Sequence, residues 1–284
     1  MNTIRGRLTA ALPVSRMRCL VLAIAAVVPS SPLLASTIVV TSCGDAMGDG
    51  GSLRSKIFAA SENDTIDLST LNCTDSVITL GQGVIPIAVG NLTLAGSATK
   101  RLTVSGNNLD RVFEPQAAGT LTIDGLTIEK GSFTTPQFSH GQVSGGCIYS
   151  LNGSVALNNS TVTGCSVIDD TQRSVVSGAG AHGGAISTPN GNVLMSHSIV
   201  STSFVDSIDT DYSTHGGCIA TNTLIASYSI INGCIAIGGS NAGSAGGGVD
   251  AKLAIVSLSA IYDNAAGSGG GFEIEGGAPS TSAI

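Results

Sequence analysis

Short runs of alternating apolar and polar residues recur along most of this chain. Leu92-Thr-Leu94 and Leu102-Thr-Val104 are two early examples, and Val155 and Leu157 flank a smaller residue in a later one. Alternation with a period of two places one set of side chains on the buried side of a β-strand and the other set toward water. Glycine, asparagine, serine and threonine separate the runs, as in turns. The pattern therefore predicts many short strands and almost no helix.

Four segments share this pattern and align without gaps around one serine. The segments are Ser154–Cys165, Asn192–Ser203, Thr223–Cys234 and Leu253–Asn264, and the shared serines are Ser160, Ser198, Ser229 and Ser259. A Gly-Gly pair precedes each segment and opens a unit that we call a repeat, numbered one to four. The pairs are Gly145-Gly146, Gly183-Gly184, Gly216-Gly217 and Gly247-Gly248, and Gly270-Gly271 starts a fifth repeat. Units this short cannot bury a hydrophobic face alone, so we expect them to stack as a solenoid.

We therefore predict an all-β fold, a right-handed parallel β-helix (a solenoid) with a short N-terminal capping helix. Glycine at the corners accommodates positive φ and lets the backbone of one coil lie close to the next. An antiparallel β-sandwich also has short strands and frequent turns, and it is the alternative fold. The gapless repeat and the matching Gly-Gly offsets favour the β-helix.

Six cysteines follow the N-terminal segment, and an even number in an exported chain indicates a disulfide framework. They are Cys43, Cys73, Cys147, Cys165, Cys218 and Cys234. Two repeat positions carry cysteine together, in repeats one and three, or not at all. Repeat two has Ala185 and Ser203 there, and repeat four has Val249 and Asn264. We therefore predict the bonds Cys147–Cys165 and Cys218–Cys234, each closing one coil, and Cys43–Cys73 by exclusion. Free buried thiols are the alternative, which export disfavours.

The first 35 residues have the three parts of a secretory signal peptide. Four arginines precede an apolar run from Cys19 to Val28, and a segment of small residues ends at Ala35. We expect cleavage before Ser36, and the run is too short for a permanent membrane span. The chain is therefore expected to be exported, extracellular or on the bacterial outer surface, with no membrane-spanning segment after cleavage.

The chain divides into four predicted parts. They are the signal peptide (1–35), an N-terminal capping module (36–80), the β-helix coils (81–277) and an unstructured or truncated end (278–284). In the capping module, Ser52 is expected to N-cap a short amphipathic helix from Leu53 to Ala60, with Ile57 on the same apolar stripe. Such a helix would cover the open core of the first coil.

Charge and composition limit the partners. Removing residues 1–35 takes away four of the twelve basic residues and no acidic residue, so the net charge changes from −7 to −11. Such an acidic chain has no basic surface for nucleic acid or anionic lipid, and we expect neither partner. The chain has no tryptophan, four tyrosines and six phenylalanines, so it has few aromatic platforms for sugars. We expect a monomer.

Several motifs are similar to those of a known family. The run Gly50-Gly-Ser-Leu-Arg54, followed by Asn63-Asp-Thr-Ile-Asp-Leu68, resembles the N-terminal module of bacterial CSLREA-domain proteins. Leu121-Thr-Ile-Asp-Gly-Leu-Thr-Ile128 looks like the strand pair that follows that module. The Gly-Gly-Cys/Ala-Ile units resemble the repeats of chlamydial-type polymorphic outer-membrane proteins and autotransporter passengers. The resemblance covers nearly the whole mature chain and implies right-handed parallel β-helix repeats, although Gly51 and Ser55 replace the cysteine and the acidic residue of the family's name motif.

Acidic residues cluster in two segments that separate strands. They are Asp169, Asp170, Asp206, Asp209 and Asp211. Stacked together, the two loops would bind Ca²⁺ weakly through carboxylate oxygens, and solvated loop tips are the simpler interpretation. We expect no other cofactor.

His182 and His215 each directly precede a Gly-Gly pair, so we expect them to stack on adjacent coils. Two imidazoles at this spacing could share a metal, but no cysteine or carboxylate joins them at a matching offset. We interpret the pair as a polar ladder at the corner. No motif assembles a nucleophile–histidine–acid triad, and we predict no catalytic residue.

We predict a secreted or surface-displayed β-helical scaffold, similar to an adhesin or autotransporter passenger. It would bind a cell-surface or polysaccharide ligand along an outer face or through the insertions at 131–144, 166–182 and 204–215. One alternative is a polysaccharide lyase or glycoside hydrolase on a pectin-lyase-like β-helix, and another is a purely structural stalk. Enzymatic activity stays an open question, with a non-enzymatic role favoured.

Overall fold

The structure is a computed structural model. It describes residues 35–97, 99–134, 143–169, 180–207, 213–239 and 243–274. These residues form an all-β fold of parallel sheets, with one short α-helix and one 3₁₀ turn, Thr74–Ser76. The predicted signal peptide, except Ala35, and the predicted end at 278–284 lie outside the described residues. Every pairing between the described strands is parallel, so the antiparallel sandwich alternative is wrong.

The described residues contain 27 strands. In chain order they are β1 (Thr37–Val39), β2 (Thr65–Asp67), β3 (Val77–Thr79), β4 (Ile85–Ile87), β5 (Leu92–Ala95), β6 (Leu102–Ser105), β7 (Phe113–Pro115), β8 (Thr120–Asp124), β9 (Leu126–Glu129), β10 (Ser132–Thr134), β11 (Val143–Ser144), β12 (Ile148–Tyr149), β13 (Ser154–Asn158), β14 (Thr161–Thr163), β15 (Ser166–Asp169), β16 (Ala181–His182), β17 (Ile186–Ser196), β18 (Ile199–Ser201), β19 (Phe204–Ser207), β20 (Thr214–His215), β21 (Ile219–Ser227), β22 (Ile230–Asn232), β23 (Ile235–Ile237), β24 (Ser244–Ala245), β25 (Val249–Ser257), β26 (Ala260–Tyr262) and β27 (Phe272–Ile274).

The strands form four sheets. Sheet A comprises β1, β2, β4, β5, β7, β8, β12, β13, β17, β21, β25 and β27, and sheet B comprises β3, β6, β9, β14, β18, β22 and β26. Sheet C comprises β10, β15, β19 and β23, and sheet D comprises β11, β16, β20 and β24. Each strand pairs with its counterpart in a neighbouring unit, because the chain visits the sheets in the same order in every repeat. The insertions predicted at 131–144, 166–182 and 204–215 therefore begin and end in strands, which build sheets C and D.

The register of the sheets follows the alignment of the repeats. Val155 pairs with Val193, and Val193 with Leu224. The shared serines lie over one another: the backbone N–H of Ser160 donates to Ser198 Oγ at 3.2 Å, and the same bond continues to Ser229 and Ser259. Each hydroxyl in turn donates to the carbonyl two residues before it. The serine is shared because it satisfies a buried N–H of the preceding repeat.

The two glycines of each Gly-Gly pair serve different purposes. The first has positive φ, +66° at Gly145 and +60° at Gly183, a conformation that other residues rarely adopt. The second lies against the next repeat, since a Cβ on Gly146 would stand 2.3 Å from the carbonyl oxygen of Gly184. The register corrects one expectation: in repeat four the first glycine is Gly246, with φ +60°.

The Gly-Gly pair of repeat four thus lies one residue earlier than the sequence predicts, at Gly246-Gly247. Val249 pairs with Ile219, so Gly248, and not Val249, occupies the position of Cys218. In the same way Phe272 pairs with Val249, so the fifth pair is Gly269-Gly270. The run of three glycines, Gly246 to Gly248, concealed this shift in the sequence, because either Gly-Gly pair fits the pattern.

The buried side chains form two clusters. The main cluster lies between sheets A and B and includes Leu94, Ile123 and Leu157, all with no exposed surface. The second cluster lies between sheets C and D and is built from small side chains such as Val167 and Ala181. Parallel strands covered on one side by such a core carry apolar residues at alternate positions, as observed.

The predicted helix is confirmed as α1, Leu53–Ala59, one residue shorter than expected. Ser52 Oγ accepts a hydrogen bond from the backbone N–H of Ser55 at 3.2 Å and caps the helix, while Leu53 and Ile57 join the main core. Arg54 of α1 is buried against Asp45 at 2.8 Å and donates to two carbonyls beyond residue 80. This charged contact fixes the helix to a later segment of the chain.

Three disulfide bonds join Cys43 to Cys73, Cys147 to Cys165 and Cys218 to Cys234. All three pairs were predicted, two from the repeat positions and Cys43–Cys73 by exclusion. Repeats without a cystine use hydrogen bonds at the same level: Ser203 Oγ accepts from the N–H of Cys165, and Asn264 Oδ1 from that of Cys234. Each repeat with a cystine is thus followed by a repeat that supplies a polar side chain, and that side chain accepts a hydrogen bond from the N–H of the second cysteine.

Candidate functional site

Sheet D is narrow and has two unlike sides. On one side, Val143 and Ala181 pack into the second core. The next residue in each strand points the opposite way, because side chains alternate along a strand. Those residues are Ser144, His182, His215 and Ala245, paired in register from β11 to β24. They form a row on the side of sheet D that faces away from the second core.

The two imidazoles of this row stack as the sequence predicts. The ring centroids of His182 and His215 are 5.1 Å apart, and the ring planes differ by 10°. The pKa of His182 is lowered to about 4, chiefly by burial and also by the adjacent His215, while Asp250 acts in the opposite direction. His182 is therefore neutral at pH 7.

His215 contacts a hydroxyl and a carboxylate through its two ring nitrogens. Ser213 Oγ lies 2.9 Å from His215 Nε2, because residues 213 and 215 share one side of the chain. Asp250 Oδ2 lies 3.2 Å from His215 Nδ1. Asp250 reaches this position from sheet A, where it pairs with Ala220. The result is a serine–histidine–aspartate arrangement across two strands.

The residues around this arrangement are small. Gly180 and Gly243 occupy the position of Ser213 in the preceding and following repeats, as the pairing of their neighbours shows. Ala220 lies beside Asp250 and Ala245 beside His215. Ser213 is partly exposed. The arrangement joins Ser213 and His215, at the end of repeat two, to Asp250 in the first strand of repeat four.

Arg111 lies beside Ser144, at the β11 end of the row. Its guanidinium lies 3.6 Å from the ring centroid of Phe133 and 4.9 Å from that of Tyr149. Nε donates to the carbonyls of Ser144 and Gly145 at 3.1 Å. Burial lowers the pKa of Arg111, and nearby acidic side chains oppose that shift. The carbonyls and aromatic rings hold this cation in a structural role.

A second candidate site is an exposed apolar surface on the later repeats. We call it the apolar face; it consists of Leu194, Ile225, Leu253 and Ile255 on sheet A and Tyr228 and Leu258 in the turns that follow. Leu194, Ile225 and Ile255 are register partners in successive strands. The exposed fractions run from 37% at Leu194 to 71% at Leu258.

The same row has a different composition in earlier strands. Thr65, Thr93 and Thr122 occupy it in β2, β5 and β8, and Ala156 follows in β13. The row therefore changes from hydroxyl to aliphatic side chains on the solvent side of one sheet. Its backbone register stays continuous through the change.

The predicted acidic cluster is only partly described, because Asp170, Asp209 and Asp211 lie outside the described residues. Asp169 pairs with Ser207, whereas Asp206 pairs with Ile168. Successive residues of a strand point to opposite sides, so the two carboxylates face different sides of sheet C. Asp169 is buried in the second core, and burial raises the pKa of the partly exposed Asp206. The structure does not bring these two together for a shared ion.

Within the described ranges, no group of three or more histidine, cysteine, aspartate or glutamate side chains could hold a metal ion. None of the helices in the described part of the chain is long and apolar enough to cross a membrane. Comparison of the chain with protein-family models, with curated proteins and with solved structures found no match.

Sequence reasoning missed Ser213 and Asp250 as partners of His215. Ser213 is close in sequence, but the sequence offers many serines. Asp250 comes from the next repeat, at a position aligned with Ala220. The sequence would have indicated Asp250 if the Gly-Gly pair of repeat four had been placed one residue earlier. That placement aligns Asp250 with Ala220, in the strand adjacent to the histidine row.

Proposed function

We propose that this chain is a right-handed parallel β-helix of the CSLREA and polymorphic outer-membrane protein type. It is exported and acts as a scaffold that binds a protein on a cell surface through the apolar face. The continuous parallel register across the repeats supports this architecture. The disulfides support export, since disulfides persist in oxidising compartments.

The apolar face is the observation that carries the proposed function. Contiguous exposed aliphatic and aromatic side chains on a protein surface mark interaction sites. Threonine fills the same row in the earlier strands, so the sheet does not require aliphatic residues there. The change of this row to leucine and isoleucine in the later repeats is therefore better explained by a partner than by folding.

The chemistry of the face favours a protein over a polysaccharide. Sugars are bound by stacking on free aromatic rings together with hydrogen bonds, whereas the face is mainly leucine and isoleucine. One side of the Tyr228 ring is already stacked on His197, with ring centroids 4.9 Å apart. Apolar side chains at the centre of an interface are typical of protein partners.

Solid-phase binding tests this proposal. The purified protein is applied to immobilised fibronectin, laminin and mucin, and to pectin and alginate. We expect saturable binding to at least one protein coat and none to the two polysaccharides. The triple variant Leu194→Thr, Ile225→Thr and Ile255→Thr should bind at least about tenfold more weakly, because hot-spot side chains commonly contribute about 2 kcal/mol or more.

The control variant is Thr93→Ser with Thr122→Ser, on the same row but in earlier strands, and it should bind as the wild type does. Binding that survives the triple variant, or binding to the polysaccharides alone, would contradict the proposal. Size-exclusion chromatography covers a further outcome: self-association that the triple variant abolishes would show that the face binds a second copy, and the proposed partner would be wrong.

A further inference from the structure

We propose that Ser213, His215 and Asp250 form a hydrolytic site in which the Ser213 hydroxyl attacks carboxylic esters. The site lies on sheet D and on the adjoining strand of sheet A, β25, which also carries Leu253 and Ile255 of the apolar face. It is independent of the proposed scaffold function, because the two use different side chains. The argument starts from geometry.

The nucleophile and the base are within hydrogen-bonding distance. Ser213 Oγ is 2.9 Å from His215 Nε2, which lies in the range required for proton transfer from a nucleophilic hydroxyl. Nε2 can accept that proton when Nδ1 carries the other ring hydrogen. The Asp250 Oδ2 atom lies at ion-pair distance, 3.2 Å, from Nδ1, and its negative charge favours a hydrogen on that nitrogen.

Asp250 is a buried carboxylate directed at the imidazole. Asp250 is only 4% exposed, and the described residues provide no hydrogen-bond partner for its Oδ1. A buried anion is costly without compensating charge. Protonation of His215 supplies that charge at Oδ2, so the carboxylate stabilises the imidazolium that forms during attack.

His182 supports the orientation of the base without competing for its proton. Its ring stacks on that of His215 with an angle of 10° between the planes. The stacking restricts rotation of the His215 ring. Because its own pKa is about 4, His182 stays neutral where the site would operate.

Ser213 is partly exposed, and the described positions beside it carry small side chains. No atom of the described residues lies within 4 Å of the place where a Cβ on Gly243 would stand. Gly180 occupies the position of Ser213 in the preceding repeat, and Ala220 and Ala245 lie on the adjoining strands. Small side chains at these positions favour access to the hydroxyl.

The reaction is an ordinary acyl transfer. Ser213 Oγ forms a bond to the ester carbonyl carbon as its proton passes to His215 Nε2, and the C=O electron pair moves to oxygen. When the pair returns, the bond from carbon to the alcohol oxygen breaks, and the alcohol leaves with the proton from Nε2. Water then attacks the acyl-serine in the same manner, which releases the acid and restores Ser213. Esters fit this site better than amides because an alcohol leaves more readily than an amine.

The purified full chain is tested with two probes, 4-nitrophenyl acetate and a fluorophosphonate that loses fluoride when a serine attacks its phosphorus. We expect saturable ester hydrolysis and fluorophosphonate labelling that peptide mapping assigns to Ser213. The variants Ser213→Gly, His215→Ala and Asp250→Ala should each reduce both rates by about 100-fold or more. Each copies a residue that a neighbouring repeat carries at that position, so the fold already accommodates it.

Ser196 provides a matched control. Its hydroxyl lies 3.0 Å from His197 Nδ1, and within the described part of the chain no hydrogen bond or ion pair joins His197 to an aspartate. Ser196→Ala should leave both rates unchanged. Labelling at another residue, rates in Ser213→Gly or Asp250→Ala equal to those of the wild type, or a wild-type rate no higher than that of Ser213→Gly would each overturn the proposal. Circular dichroism of every variant confirms that the β-structure is retained.

Discussion

Sheet A has early and late strands that share one register but distribute their side chains differently. On the buried side, the early strands carry Ile66, Leu94 and Ile123, and the late strands carry Met195, Ala226 and Val256. On the solvent side, threonine gives way to leucine and isoleucine. Aliphatic side-chain volume thus decreases on the buried side and increases on the solvent side along the chain, while two of the three cystines and the serine hydrogen bonds belong to the later repeats. The same backbone arrangement can therefore be stabilised by packing or by cross-links, and the second solution leaves aliphatic residues for binding.

The largest effect is expected from removing buried volume in an early strand. Ile123→Ala should lower the free energy of unfolding by about 2–5 kcal/mol, because it deletes a fully buried side chain and leaves a cavity. Urea denaturation measures the change. The control is Thr122→Ala on the solvent side of the same strand, expected within about 0.5 kcal/mol of the wild type. If the two variants lose equal stability, the contrast between packing and cross-linking fails.

The next effect concerns a cystine of the later repeats. The double variant Cys218→Ala and Cys234→Ser copies Ala185 and Ser203 of repeat two. It removes a bond that spans 16 residues, and closing a loop of this size stabilises a fold by about 3 kcal/mol in the chain-entropy model. Denaturation midpoints with and without reductant measure the loss. Reductant should lower the denaturation midpoint of the wild type more than that of the variant, and equal decreases would contradict this account.

A smaller effect is expected from the serine row. Ser198→Ala removes the acceptor for the N–H of Ser160 and leaves that buried donor unsatisfied, at a cost of about 1–3 kcal/mol. Ser196→Ala, two residues away and on the solvent side, should change stability by no more than about 0.5 kcal/mol. Hydrogen exchange at the Ser160 amide provides a local measurement, since exchange should become faster only in the Ser198 variant.

The smallest effect at neutral pH is expected at His182. Its pKa is about 4 in the folded chain, against an ordinary 6.5, so the unfolded chain binds more protons between these values. Stability attributable to neutral His182 is therefore complete above pH 6.5 and is lost as the pH falls toward 4. His182→Ser, which copies Ser144, should flatten the stability curve in this window. An unchanged slope between pH 4 and 6.5 would show that burial does not suppress its protonation.

The parallel architecture was largely predictable because each repeat contains residues that align it with the next repeat. The shared serines and the co-occurring cysteines specify which residues lie over one another, and both survive in the structure as hydrogen bonds and cystines. The histidine stack followed from the same reasoning. Repeat four was misaligned by one residue because three consecutive glycines satisfy the pattern twice.

Sheets C and D were not predictable in detail. Strands such as Val143–Ser144 contain two residues, too few for alternation to be recognised, and they exist because a neighbouring strand pairs with them. The contact of His215 with Asp250 is equally non-local, since it depends on how close sheet D lies to sheet A. The aliphatic solvent-side row was not recognised as a binding surface, although the alignment of Val193 and Met195 with inward-facing positions of repeat one places Leu194 toward water.

The shared serines and the paired cysteines limit which repeats can be deleted or added without loss of their contacts. A deletion of residues 161–229 would join Ser160 to Ile230, keep a serine at the junction and place Cys147 opposite Cys234, the position now held by Cys165. Deleting 199–229 alone would instead leave Cys234 facing Ala185, and thiol titration should detect one additional free sulfhydryl. When both breakpoints lie at the shared serines, gene rearrangements that add or remove two repeats therefore keep the cysteines matched, whereas those that add or remove one repeat leave an unmatched cysteine.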